Sequence, residues 1–362
     1  MTRPTIGLVR TSRPSILMRV ANVFIAVTAG GKVLGDPESA EIDRVQQQAR
    51  GHAVPRGRVL RRCTFTRTAI SGFDIMKIEP KRPTSTSEAV PVLVYLHGGA
   101  YVNPATVHHW DLMAALALSL GVSVVAPLYP LAPEGTAGQV VPRLVELHER
   151  LAAQAGAAPV WAGDSAGGGL ALATALAVRD VGGTLPAHLV LFGPWLDVEL
   201  NNPDIAAFVD RDPMLDRPGL RYDASLWRDH LPADHPWVSP LNGSFQGLSP
   251  TTVIVGTRDM FTPDCRAFAE KAAQAGVDAV LYEYADGFHV FPAATFLPES
   301  KNALDAVARR LVLNSQQPGP RPSTGDLSRS GRPDTATEST TETSSVQCRD
   351  ASMRHAEQRN GF

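Results

Sequence analysis

Residues 163–169 read GDSAGGG, between an apolar run at 157–162 and an alanine-rich stretch. No other part of the chain constrains the fold as much. A serine at the centre of G-x-S-x-G, with a strand before it and a helix after it, sits on a sharp turn. Its hydroxyl is exposed and the amides that follow point toward it. Gly163 and Gly167 remove Cβ atoms where strand and helix must approach each other. The segment therefore predicts a β-strand feeding directly into an α-helix, the unit of a layered α/β fold.

A second glycine motif lies upstream, HGGA at 97–100, directly after VLVYL at 92–96. The β-branched and aromatic content of that run predicts a buried strand. Gly98 and Gly99 allow a tight loop whose amides face a ligand. Such donors stabilise the oxyanion formed when a carbonyl is attacked, by about 2.7–4 kcal/mol each. Gly98, Gly99 and Ala100 are the candidates there, with Ala166, the residue after the serine, as a further donor.

A serine nucleophile needs a base, and the base needs an orienting acid. Residues 252–255 (TVIV) predict a strand that runs into GTRDMFTPD, where Asp259 is the first acid. Residues 279–284 predict the next strand, which runs into ADGFHVF and places His289 in a loop. The order Ser165, Asp259, His289 fits a triad. Asp264 and Asp286 are the alternative acids. Asp264 falls in a predicted helix over 263–275, as an N-terminal charge. Asp286, beside Gly287, reads as a turn residue. His97 is expected to fix the glycine loop by hydrogen bonding rather than to act as a base. The pair His108 and His109 is not a metal site, because adjacent helical residues diverge and no carboxylates accompany them.

The chain resembles the hormone-sensitive-lipase-like esterases of the α/β-hydrolase fold over about residues 59–313. The resemblance is carried by LHGGAYV (96–102), LYPLAPE (128–134), GDSAGGGLA (163–171), PWLD (194–197), DPML (212–215), SPLNG (239–243), GTRD (256–259) and GFHVF (287–291). It implies a cofactor-free carboxylesterase for short to medium acyl esters. Ser165 would be nucleophile, Asp259 acid and His289 base, with Gly98, Gly99, Ala100 and Ala166 around the oxyanion. The chain departs from the family pattern twice. Ala100 stands where a third glycine is usual, and Pro130 stands where an arginine is common. An amidase or lactonase with the same triad stays open, as does a non-catalytic small-ligand receptor on this fold. The retained histidine argues against the receptor.

Composition agrees with such an enzyme. At 362 residues and a net charge of −2, the chain can bury a large core and carries no bias toward nucleic acid. Cys63, Cys265 and Cys348 are odd in number and lack metal spacing, which favours a reducing, cytoplasmic setting. The expected partner is a small-molecule ester, with no cofactor or metal.

The expected organisation is N-terminal cap helices over 1–55, a catalytic domain over 56–314 and a disordered tail over 315–362. The tail is rich in Ser, Thr, Pro and Gly and poor in large aliphatics. The segment 16–29 is apolar, with Ile16, Val20, Val23, Phe24 and Val27 on one helical face and Arg3, Arg10 and Arg13 before it. It reads as a cap helix, a membrane-surface helix or a secretory signal. A second helix is expected at 38–50, with Pro37 in its first turn. An antiparallel pair is expected over 59–78, turning at Ser71-Gly72. A mostly parallel sheet follows, its strands near Val92, Val122, Val160, Leu189, Val253 and Val280, with helices on both faces. Residues 197–248 break this pattern and are expected to complete the cap, lining the substrate pocket or simply packing.

Overall fold

A computed structural model of the chain describes residues 7–11, 13–28, 36–82 and 92–315. In chain order the elements begin with β1 (Gly7–Arg10), α1 (Ile16–Thr28), α2 (Pro37–Arg50), α3 (Arg58–Arg62), β2 (Cys63–Ile70), β3 (Phe73–Pro80) and β4 (Leu93–Leu96). There follow α4 (Val107–Leu120), β5 (Val124–Leu128), α5 (Ala137–Ala155), β6 (Val160–Asp164), α6 (Ala166–Asp180) and β7 (His188–Phe192). The chain continues through α7 (Ala206–Val209), α8 (Arg217–Arg228), β8 (Thr251–Gly256), α9 (Thr262–Gln274), β9 (Ala279–Tyr284) and α10 (Pro298–Ser315).

The nine strands form one sheet in the order β1-β9-β8-β7-β6-β4-β5-β3-β2. Only the β2–β3 and β3–β5 pairs are antiparallel. The six expected parallel strands all form, and β4, β6, β7 and β8 are buried on both faces, which is why they read as continuous apolar runs. Their sequence order reverses between β4 and β6. From β4 the chain moves outward to β5, then crosses back to β6 and continues to β7. The carboxyl ends of strands flanking such a reversal bound a crevice. The HGGA loop leaves β4 there and Ser165 leaves β6. Two buried clusters, one on each face of the sheet, form the core.

The hairpin turn falls at Ser71-Gly72, both at positive φ (49° and 73°), as a two-residue primed turn requires. Its first strand starts at Cys63 rather than at residue 59, because residues 58–62 form the helical turn α3. The N-terminal segment also departs from the expectation of helices alone: β1 pairs in parallel with β9 at the sheet edge. Helix α2 starts as expected, with Asp36 accepting from the Glu38 and Ser39 amides and Pro37 in the first turn. Apart from Ser315 at the end of α10, the expected tail lies outside the described residues, as does Cys348. Cys63 and Cys265 are buried free thiols.

Helix α2 packs against α8 of the 197–248 insertion, where the Tyr222 hydroxyl donates to Glu41 at 2.9 Å. Next to it Asp223 is fully buried, with no hydrogen-bond partner for either carboxylate oxygen among the described residues. Burial, reinforced by Asp43 and Glu41 against Arg44, pushes its pKa up to about 8. An unfolded aspartate ionises near pH 3.8. The folded protein therefore loses stability as pH rises from there to about 8. Asp223→Asn is expected to stabilise the fold by about 1–3 kcal/mol at pH 8–9 and by little at pH 4. Thermal melts across pH check this; a gain independent of pH would contradict it.

Candidate active site

Ser165 is the residue between β6 and α6. Its φ of +51° is a left-handed conformation that costs a non-glycine residue about 1–3 kcal/mol and is kept only where the surroundings enforce it. Three backbone bonds enforce it here. The Ser165 amide donates to the Phe192 carbonyl at 2.9 Å, while its own carbonyl accepts from Trp195 at 2.9 Å and Gly169 at 3.1 Å. The glycines of the motif act sterically. A Cβ on Gly163 would run into the Gly167 carbonyl, and one on Gly167 into the Leu96 carbonyl. Strand β6, helix α6 and the end of β4 are thus in backbone contact.

The HGGA loop closes over the same point. A Cβ on Gly98 would stand 3.0 Å from the Ser165 Cβ. Gly99 (φ 115°), Ala100 (53°) and Tyr101 (67°) all adopt positive φ. Ala100 therefore holds a strained backbone that a glycine would hold freely. The loop residues do not have equal roles. The Gly98 amide donates to Asp164 Oδ1 at 3.1 Å, so it faces that carboxylate instead of a ligand. The Gly99 and Ala100 amides, and that of Ala166 at the first turn of α6, donate to no such carboxylate among the described residues.

Asp164 is the centre of a network that sequence reasoning missed. Its Oδ1 also accepts from the Tyr95 hydroxyl at 2.7 Å, and its Oδ2 lies 3.2 Å from His109 Nε2. His109 Nδ1 accepts from the Thr106 amide, so the proton belongs on Nε2 and points at Asp164. Burial raises the Asp164 pKa, but His109, Tyr95 and His97 outweigh it and hold the carboxyl below its ordinary value. His97 donates from Nδ1 to the Gly98 carbonyl at 2.7 Å and stacks on Tyr129, whose hydroxyl donates to the His97 carbonyl. Burial pushes its pKa down to about 3, so it is neutral and shapes the loop, as expected.

The Asp259 and His289 loops meet beside Gly193. His289 Nδ1 lies 2.9 Å from Asp259 Oδ2, with both side chains buried. A Cβ on Gly193 would approach both of them. Asp259 Oδ1 accepts from the Phe261 amide at 2.9 Å. Burial alone would lower the His289 pKa. The charge and hydrogen bond of Asp259, with Asp212 and Asp164 behind, outweigh it and raise the pKa above the usual 6.5. The alternative acids lie elsewhere. Asp264 is buried in the first turn of α9 against Asn202. Asp286 sits at positive φ in a turn, 3.9 Å from Arg258.

Asp212, within the DPML motif, had no assigned role. Its carboxylate accepts from the Met214 and Leu215 amides in the insertion and from the Met260 amide in the Asp259 loop. It thereby ties the insertion to the acid loop. Burial and the charge of Asp259 raise its pKa to about 6. A series of aromatic rings runs along the same wall. Trp227 stacks on Tyr101 at 4.3 Å and Tyr101 on Trp195 at 5.7 Å; Trp195 faces Phe261 at 5.9 Å, and Phe261 meets His289 at 5.2 Å. Trp227 is thus part of this wall, while Trp237 packs only partly buried against the core.

A profile of the alpha/beta hydrolase fold family matches residues 93–293, which hold Ser165, Asp259 and His289. The chain is 31% identical to an acetyl-hydrolase of Streptomyces hygroscopicus over 77% of its own length and 89% of that protein. It is 36% identical to a triacylglycerol lipase of Mycobacterium tuberculosis over 54% of its length, but spans only 40% of that protein. Among solved structures, a mutant of esterase E40 superposes with a TM-score of 0.72 at 27% identity, covering 84% of this chain and all of that one. A hormone-sensitive lipase from a metagenome library superposes with a TM-score of 0.73 at 24% identity, over the same shares. With the fold and these relatives in agreement, the chain belongs to the α/β-hydrolase fold family, as a hydrolase acting on esters.

Proposed function

We propose that the protein is a serine carboxylesterase for short to medium acyl esters, working through Ser165, His289 and Asp259. The observation that carries this reading is the buried 2.9 Å bond between Asp259 and His289 in loops that follow the serine turn in chain order. With Nδ1 bound to Asp259, His289 has Nε2 for the serine proton. Ser165 Oγ attacks the ester carbonyl as His289 takes its proton. The oxyanion is held by the Gly99, Ala100 and Ala166 amides. His289 then protonates the leaving alcohol, and water repeats the sequence on the acyl-enzyme. Asp259 keeps the imidazole in one tautomer and stabilises the imidazolium.

The buried free thiols Cys63 and Cys265 suit a reducing, cytoplasmic setting. The reading is tested with p-nitrophenyl esters of increasing acyl length. Turnover is expected to peak at short to medium chains. A folded wild-type protein inert on the whole series would overturn the reading.

The raised His289 pKa has a kinetic consequence. The base must be neutral to act, so kcat/KM rises with pH along a limb whose midpoint lies above 6.5. Asp259→Asn removes the largest influence holding that proton, and the residual activity is expected to show a midpoint moved to lower pH. A wild-type midpoint well below 6.5 would contradict the assignment.

A further inference from the structure

We propose that α1 is a docking surface for anionic lipid, seating the hydrolase with its His289 loop beside the membrane. Helix α1 is held to the body by a narrow strip. Met18 is fully buried in the cluster that contains Phe288 and Phe291, and the Asn22 amide donates to the Asp286 carbonyl at 2.8 Å. Before the helix, the Ser15 amide and hydroxyl both donate to the buried Glu299. The opposite face carries Ile16, Leu17, Val20, Val23 and Val27, whose exposures run from 49% to 79%. An apolar stripe of this kind at the surface marks an interaction site. The helix that bears it hydrogen-bonds to the loop that carries the histidine.

Charge selects the occupant. The first 35 residues contain four arginines and one lysine and no acid, in a chain whose net charge is −2. Arg13 and Arg19 are exposed at and on the helix. On the adjoining elements Glu283 is bridged by Arg10 and Arg266 and Asp286 faces Arg258, while Glu299 accepts from the neutral Ser15; Arg13 and Arg19 are the basic side chains left beside the stripe among the described residues. A basic flank and an apolar stripe on a 13-residue helix fit a segment lying in the plane of an anionic interface; a span would need about 20 residues. Among the described residues no helix is long and apolar enough to cross a membrane. Residues 316–362 offer few large apolar side chains to cover the stripe. A two-fold pairing of this face in two copies would oppose arginines with no acid on either helix. Lipid supplies both the apolar depth and the negative charge.

The test is co-sedimentation of the full chain with phosphatidylcholine vesicles, with and without phosphatidylglycerol. Wild type is expected to pellet with the phosphatidylglycerol vesicles and to be released by salt. Arg13→Gln with Arg19→Gln is expected to weaken binding on the order of twentyfold. Val20→Glu with Val23→Glu is expected to abolish it while leaving melting and p-nitrophenyl butyrate turnover unchanged, since both side chains are exposed. Ser165→Ala is expected to bind like wild type, which separates this proposal from the esterase reading on which its purpose rests. Wild type remaining in the supernatant at low salt would overturn it. So would equal binding by Val20→Glu with Val23→Glu, or a wild-type dimer that this double variant dissolves.

Discussion

Ser165→Ala is expected to lower kcat on p-nitrophenyl butyrate by about a millionfold, to the level of residual catalysis by oxyanion donors and binding. The size of the loss follows from the chemistry. Without Oγ no acyl-enzyme forms, and His289 has no hydroxyl to deprotonate. The structural side of the substitution is mild. Alanine keeps the Cβ that faces Gly98 and keeps the three backbone bonds that hold the turn. Melting temperature should therefore change little, and a loss of activity accompanied by unfolding would not count. Steady-state rates together with a melting curve on the same preparation check both halves. A variant retaining a tenth of wild-type activity would show that another group attacks the ester.

Asp259→Asn is expected to cost about 10⁴-fold in kcat, whereas Asp264→Asn should stay within a few-fold of wild type. The contrast rests on contacts. Asp259 is fully buried and bonded to His289 Nδ1 at 2.9 Å, so an asparagine there favours the wrong tautomer. Asp264 is equally buried, yet its hydrogen bond goes to Asn202 in the insertion. Its carboxyl, pushed up to about 7 by burial, is not oriented toward the base. Equal damage from the two substitutions in folded protein would mean that the acid has been misassigned.

Much of this was legible because the signals were local. The serine turn announces itself through glycines whose absent Cβ atoms allow backbone contact, and β4, β6, β7 and β8 through apolar runs buried on both faces. The Ser71-Gly72 turn was legible from residue type alone. What stayed hidden depends on long-range contacts. Nothing near Gly98 in sequence indicates that its amide would go to Asp164, 66 residues later. The roles of His109, Tyr95 and Asp212 arise from the same kind of encounter. Strand β1 was missed because four residues with three exposed side chains carry no core pattern, and its pairing is set by the free edge of β9. The stripe on α1 was legible as a helix face, but periodicity does not say which way a face points. Met18 and Asn22, not the longer stripe, meet the body.

The most direct test of the central claim is covalent labelling with a p-nitrophenyl alkylphosphonate, followed by mass spectrometry of the digested protein. One phosphonyl group per chain is expected, on the peptide containing Ser165, with loss of esterase activity in proportion to labelling. No incorporation is expected in Ser165→Ala. Label on another residue, or full inactivation with Ser165 unmodified, would contradict it.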